Sequence, residues 1–171
     1  MNSRHRSPEI KLLLRLIDES YEKKAWHGPN LRGSIRGLSS DEAAWRPDSK
    51  RHNIWEIVVH AAYWKYIVRR RLTGEKRGSF PIKGSNWFHR PQSKSDSAWI
   101  DDIHLLDEVH RSMRDVIEEM SSKNLETIPA GSNVSNVQMI SGIASHDVYH
   151  TGQIQILKRL MTWSTAEYSI E

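Results

Sequence analysis

The segment SHDVYHTGQI, residues 145–154, sets His146 and His150 four positions apart inside the last hydrophobic stretch of the chain. On a helix, positions four apart differ by about 40° in direction, so the two imidazoles share a face. Gln153 and Leu157 continue that stripe, and Ile140, Ile143 and Ile154 make the inward side apolar. Neutral imidazole is a common metal ligand, and two on one face can chelate one ion. Alone, an HxxxH pair also occurs on solvated helix surfaces. A third histidine changes the reading: His60 stands in IVVHAAYW, among apolar and small neighbours. Bundle sites are built in this way, from side chains on facing helices. Three histidine ligands leave open positions for water or substrate, as in a catalytic rather than a closed structural site. An ion held there either lowers the pKa of bound water or holds the thiol of a small cosubstrate as thiolate. The chain has no cysteine, so any thiol must arrive with the substrate. Imidazole suits zinc, nickel, copper and iron alike, so the residues imply a divalent metal without choosing it.

The elements that must position these residues read as helices. Residues 9–25 place Ile10, Leu13, Leu14, Ile17 and Tyr21 on one face, with Pro8 at a first-turn position. Gly28-Pro29 breaks that pattern. LRGSIRGL follows as a short helix, and Ser39 or Ser40 can cap DEAAW. Residues 53–72 form the clearest long helix, capped by Asn53 and followed by Gly74. Residues 97–120 form the next, with Ile100, Ile103, Leu106, Val109, Met113, Val116, Ile117 and Met120 expected inward. Residues 134–162 form the last and carry the opening motif. No strand-like alternation or repeat is present. Four long amphipathic helices predict an all-α four-helix bundle, a single domain over residues 1–171. Residues 75–95 read as a long loop whose Phe80, Trp87 and Phe88 should pack rather than wave, and connections of this length suit crossovers.

Composition narrows the class. Residues 1–95 hold 20 Lys and Arg against 9 Asp and Glu, and residues 96–171 hold 5 against 12. The simpler account of this asymmetry is oppositely charged helices packed together, not nucleic-acid binding. No apolar run reaches membrane-span length, and the start MNSRHRSPEI lacks the apolar core of a signal peptide. The expectation is therefore a cytoplasmic protein with no membrane or nucleic-acid partner.

HNIWEIVVHAAYWKYIVRRRLTGE together with HDVYHTGQIQILKR resembles the DinB/YfiT-like metal-binding four-helix bundles, and AWHGPNLRGSIRGLSSDEAAWRP is similar to the linker of many members. The resemblance covers nearly the whole chain. It implies a left-handed bundle in up-down-down-up order, often a homodimer. It also implies a divalent metal (zinc, nickel or iron) held by His60, His146 and His150. Characterised relatives include bacillithiol S-transferases and a mycothiol-dependent maleylpyruvate isomerase, so the resemblance favours a small-molecule substrate and a low-molecular-weight thiol cosubstrate. A metal-dependent hydrolase and a non-catalytic metal-binding stress protein stay open.

Other residues are candidates for the pocket. Trp64 lies four after His60 and can form a wall. Gln153, about one turn past His150, can orient a ligand or water. His27, beside Trp26 and before Gly28-Pro29, is either a pocket or a turn residue. His89 faces the site if the loop 75–95, with Trp87, folds over it as a lid. His52 is expected to cap its helix or face solvent, His110 to be exposed, and His5 to lie in a frayed terminus. Trp55, Trp87, Trp99 and Trp163 read as core or interface residues. Asp147, about 100° off the histidine face, reads as solvated rather than as a support for a ligand. Arg69, Arg70 and Arg71 complement the helix dipole.

Overall fold

The computed structural model describes residues 7–78, 80–91 and 93–167, with side chains followed as far as residue 162. His5 and the side chain of Trp163 lie outside the described residues. The elements are α1 (Pro8–Tyr21), α2 (Leu31–Ser34), α3 (Ser40–Ala44), α4 (Ile54–Thr73), α5 (Asp96–Glu118) and α6 (Asn136–Glu167), with a 3-10 turn at Ser122–Asn124 before α6. No strand occurs among the described residues. Each start is set by a local signal. Ser7 accepts from Ile10 N ahead of Pro8, and Ser39 and Asn53 each form a reciprocal capping box, with Glu42 and Glu56. Such a cap contributes roughly 1 kcal/mol. Helix α4 ends at Gly74, whose φ of 72° puts it in the left-handed region that favours glycine.

The four long helices make a square in which α1 and α4 each pack against both α5 and α6. Their directions follow from who meets whom. Asp18 is held by Arg114, whereas Tyr21, further along α1, meets the earlier Asp107, so α1 and α5 run antiparallel. Trp55 meets Trp99 and Asp102, and Val68 clusters with Met113 and Ile117, so α4 and α5 are parallel. His60 meets His150 while Lys65 meets Asp147, so α4 and α6 are antiparallel. The order is up-down-down-up. It also explains the long connections. The links from α1 to α4 and from α5 to α6 cross the diagonals of the square, and the parallel pair α4–α5 needs a return along its full length.

Two apolar clusters fill the bundle. One gathers Tyr21, Leu31, Ile35, Ile54, Trp55, Trp99 and Leu106 around the first half of α4; the other gathers Ile10, Leu13, Leu14, Ile17, Met113, Ile117 and Ile140. The charge asymmetry resolves as packing: Arg114–Asp18, Arg32–Asp107 and Arg90–Asp102 tie basic and acidic segments together.

The register of α5 differs from the expectation. Its buried stripe is Trp99, Asp102, Leu106, His110, Met113 and Ile117. Ile100 is instead 48% exposed. The stripe keeps the helical period but passes through two polar residues, so counting apolar residues alone shifted it. Asp102 is buried because it accepts from Trp55 Nε1 and pairs with Arg90. His110, expected exposed, is 1% exposed and stacks on Tyr21 at a ring separation of 3.6 Å. Asp147, expected solvated, is buried against Lys65, which is fully buried itself.

Candidate metal centre

Helix α4 supplies His60, and α6 supplies His146 and His150. All three point into the seam between these helices. His60 and His150 each bring Nε2 to 3.1 Å from Nε2 of His146, and the ligand atoms of the three lie within 4.8 Å of one another. Two nitrogens on one tetrahedral zinc, each about 2.0–2.1 Å from it, stand about 3.3 Å apart. The spacing therefore matches that of ligands to one ion.

The hydrogen bonds on the far side of the rings sharpen the case. His60 Nδ1 donates to the carbonyl of Asn86 at 2.8 Å. That carbonyl can only accept, so the partner fixes the tautomer. Gln153 donates its amide nitrogen to the Tyr149 hydroxyl at 3.0 Å and turns Oε1 to Nδ1 of His150 at 2.7 Å. Both histidines thus spend their N–H groups outward and present bare Nε2 lone pairs inward. Only one N–H, from His146, is left for three converging nitrogens. Burial also keeps the rings neutral, pushing His60 down to about 4 and His146 down to about 3. It lowers His150 as well, against the bond from Gln153. One N–H cannot serve both 3.1 Å contacts, so at least one pair of lone pairs faces across 3.1 Å and repels unless a cation sits between them. The residues present fit a divalent ion on this ground alone.

The loop after α4 closes one side. Trp87 stacks on His60 at 3.8 Å and 11°, and His52 stacks on the other face of Trp87 at 3.6 Å and 4°. Trp64 meets His60 edge-on and gives its Nε1–H to Asn86 Oδ1 at 3.0 Å. Asn86 sits at φ 63°, a left-handed conformation that Asn tolerates better than most residues. This aims its carbonyl at His60 and its side chain at Trp64. Gly84 is required nearby, since a Cβ there would stand 3.2 Å from the Phe88 ring at an already positive φ.

The expected site residues divide. His60, His146, His150, Trp64 and Gln153 come together. Trp87 is a wall of the centre and also packs against the core, as expected of it. His89 does not face it: its side chain is 86% exposed and turns to Glu56, Nδ1 3.6 Å from Oε1. The loop delivers the residue two positions earlier instead. His27 lies exposed in the turn between Ala25 and Gly28 and has no ring contact with the cluster. His52 neither caps α4, which Asn53 does, nor simply faces solvent: it braces Trp87 and sets Nδ1 2.9 Å from Glu56. Two further residues escaped the sequence reading, Asn86 and Lys65. An Asn in the polar stretch GSNW signals a tolerated left-handed turn, but nothing in the sequence ties it to His60.

A sequence model of the DinB superfamily matches residues 25–154, a span that contains all three histidines. No match to the chain was found among curated proteins or solved structures. No helix among the described residues is long and apolar enough to cross a membrane.

Proposed function

The chain belongs to the DinB superfamily, and from that premise we propose that it is a metal-dependent enzyme that joins a small thiol to an electrophilic carbon. The observation that carries this is the convergence of three neutral imidazole nitrogens, two of them on rings, His60 and His150, whose N–H groups are already committed elsewhere. His60, His146 and His150 would hold the ion, and Asn86 and Gln153 would fix the rings of His60 and His150. When bound, a divalent ion with three neutral ligands keeps its charge, and so lowers the pKa of a thiol or water at an open position. His60 and His150 are buried, His146 is half-buried, and Trp87 covers one face of the His60 ring. The absence of cysteine makes the sulfur an incoming one. In the reaction the thiol gives up its proton, sulfur bonds to carbon, and the bond to a leaving group such as halide breaks.

The test uses metal-loaded protein, a halonitrobenzene and, in turn, bacillithiol, mycothiol, glutathione and coenzyme A. Conjugation above the metal-free background with at least one thiol supports the reading. If no thiol is turned over while esters or amides are hydrolysed, water is the nucleophile and the chain is a hydrolase. If both assays stay blank, and cobalt-loaded protein gives no thiolate absorption band, the chain is a non-catalytic metal-binding bundle. The same reading takes the protein as a homodimer, supported by the exposed Leu12 and Leu16 of α1. Sedimentation should then give twice the 19.9 kDa chain mass.

A further inference from the structure

An open groove of about 490 Å³ runs along the outside of the His52–Trp87 stack. Its floor is apolar: Ile57 of α4 with Ile156, Leu157 and Leu160 of α6. Its rim carries Lys50 and Arg51. Two of its walls are shared with the metal centre, because Trp87 stacks on His60 and Gln153 holds His150. A second, smaller cavity of about 210 Å³ adjoins it and is lined by the same Lys50, Arg51, His52 and Trp87.

The charge on this rim is unbalanced. Arg46, Arg69, Arg90 and Arg114 have carboxylate partners, in Glu56, Glu75, Asp102 and Asp18. Lys50 and Arg51 have no carboxylate at ion-pair distance among the described residues. The acid facing that smaller cavity, Glu56, is already engaged by Arg46 and His52. Burial alone would raise its carboxyl, yet those bonds hold it below the usual range, so it stays a spent anion. What remains is an apolar trough, with Ile156 more than half exposed, under two unneutralised cations.

We propose that this groove binds the electrophilic substrate of the metal centre, and that the substrate is a small molecule with an apolar body and one anionic group. The volume falls within the range of small-molecule sites, about 300–1,000 Å³. The anion would remain at the wet rim with Lys50 and Arg51. The apolar body would lie on Leu157 and Ile57 against the wall that Trp87 and Gln153 share with the centre. The assignment rests on the metal centre being the reaction site.

The experiment compares 2-naphthoate with its neutral twin 2-naphthamide by calorimetry, on zinc-loaded wild type and on the Lys50→Glu/Arg51→Glu double variant. Metal content and helicity are recorded on every sample. Wild type should bind the naphthoate roughly five- to tenfold tighter, the scale of two part-exposed ion pairs. That preference should shrink with added salt and vanish in the double variant, with metal and helicity unchanged. In cobalt-loaded protein the naphthoate should also shift the visible cobalt spectrum, because groove and centre share two side chains. Equal affinities in wild type, or a preference that survives the double variant, overturns the anionic substrate class. Tight naphthoate binding with an unmoved cobalt spectrum overturns the groove as the substrate site. Failure of the wild type to retain metal defeats the metal reading itself, and the metal record shows that separately.

Discussion

Two polar clusters sit in the same seam between α4 and α6, about a turn apart. Deeper in, Lys65 donates to Asp147, and both are almost fully buried. Burial pushes the lysine down and the carboxyl up from their ordinary values, while their contact opposes both shifts. Nearer the surface, the Nε2 atoms of His60, His146 and His150 converge with at most one N–H among them. The first cluster contains its own counter-charge and is closed to guests. The second turns lone pairs inward with no carboxylate among the three residues. Burial of polar groups therefore does not mark a site by itself. A site is marked by groups that cannot satisfy one another. His110 makes the same point, as a buried histidine that faces Tyr21 with no second ligand nearby.

The sharpest way to break this comparison is to unbalance the closed cluster. Lys65→Met leaves the Asp147 carboxyl buried without its partner, and loss of one member of such a pair costs roughly 3–5 kcal/mol. Urea unfolding should show that loss. The double variant Lys65→Met/Asp147→Leu should recover most of it, since an apolar pair of similar volume replaces the charges. A double variant no more stable than the single would mean that the pair holds more than its own charge balance.

Gln153→Ala should act on the open cluster without touching stability much. It frees Nδ1 of His150 and with it the ring orientation. Loss of such an outer partner typically weakens metal affinity about 10- to 100-fold. A competition titration against a chelator dye would measure it, and an unchanged affinity would remove Gln153 from the site.

The smallest effect belongs to His110. Burial holds it neutral, down to about 2, with the nearby Lys65 and Arg114 adding to the depression. The unfolded chain takes up a proton near pH 6.5, and the folded protein does not until far lower. Between these values the unfolded state binds more protons, so stability falls as pH drops below about 6.5. His110→Leu keeps a similar volume and removes two ring nitrogens that have no partner among the described residues. It should be near neutral at pH 7 and should flatten part of the acid slope, read from urea midpoints at pH 7.5 and 5. An unchanged slope would place the acid sensitivity elsewhere.

The helices, their caps and the three converging histidines were legible because each depends on local spacing. Asn53, Ser39 and Gly74 act within one turn of themselves, and His146 and His150 share a face by helix geometry alone. His60 joined them because its neighbours in α4 are apolar. What escaped were residues whose role depends on a partner distant in sequence. Asp147 lies off the histidine face and reads as solvated until Lys65, 82 positions earlier, meets it. Asp102 and His110 are polar residues on a buried stripe, so an apolar count put Ile100 inward, while Trp99 is buried as expected. His89 looked like the natural fourth histidine of the loop. The backbone turn at Asn86 presents Trp87 to His60 instead, and the sequence carries no signal for which loop residue faces in.

The central claim is that His60, His146 and His150 hold one divalent ion, and metal content tests it most directly. Protein purified without an affinity tag should carry, or take up from one equivalent of added zinc, one ion per chain. His60→Ala, His146→Ala and His150→Ala should each fall to a small fraction of that with helicity largely retained. Stoichiometric metal in well-folded His60→Ala protein would contradict the account.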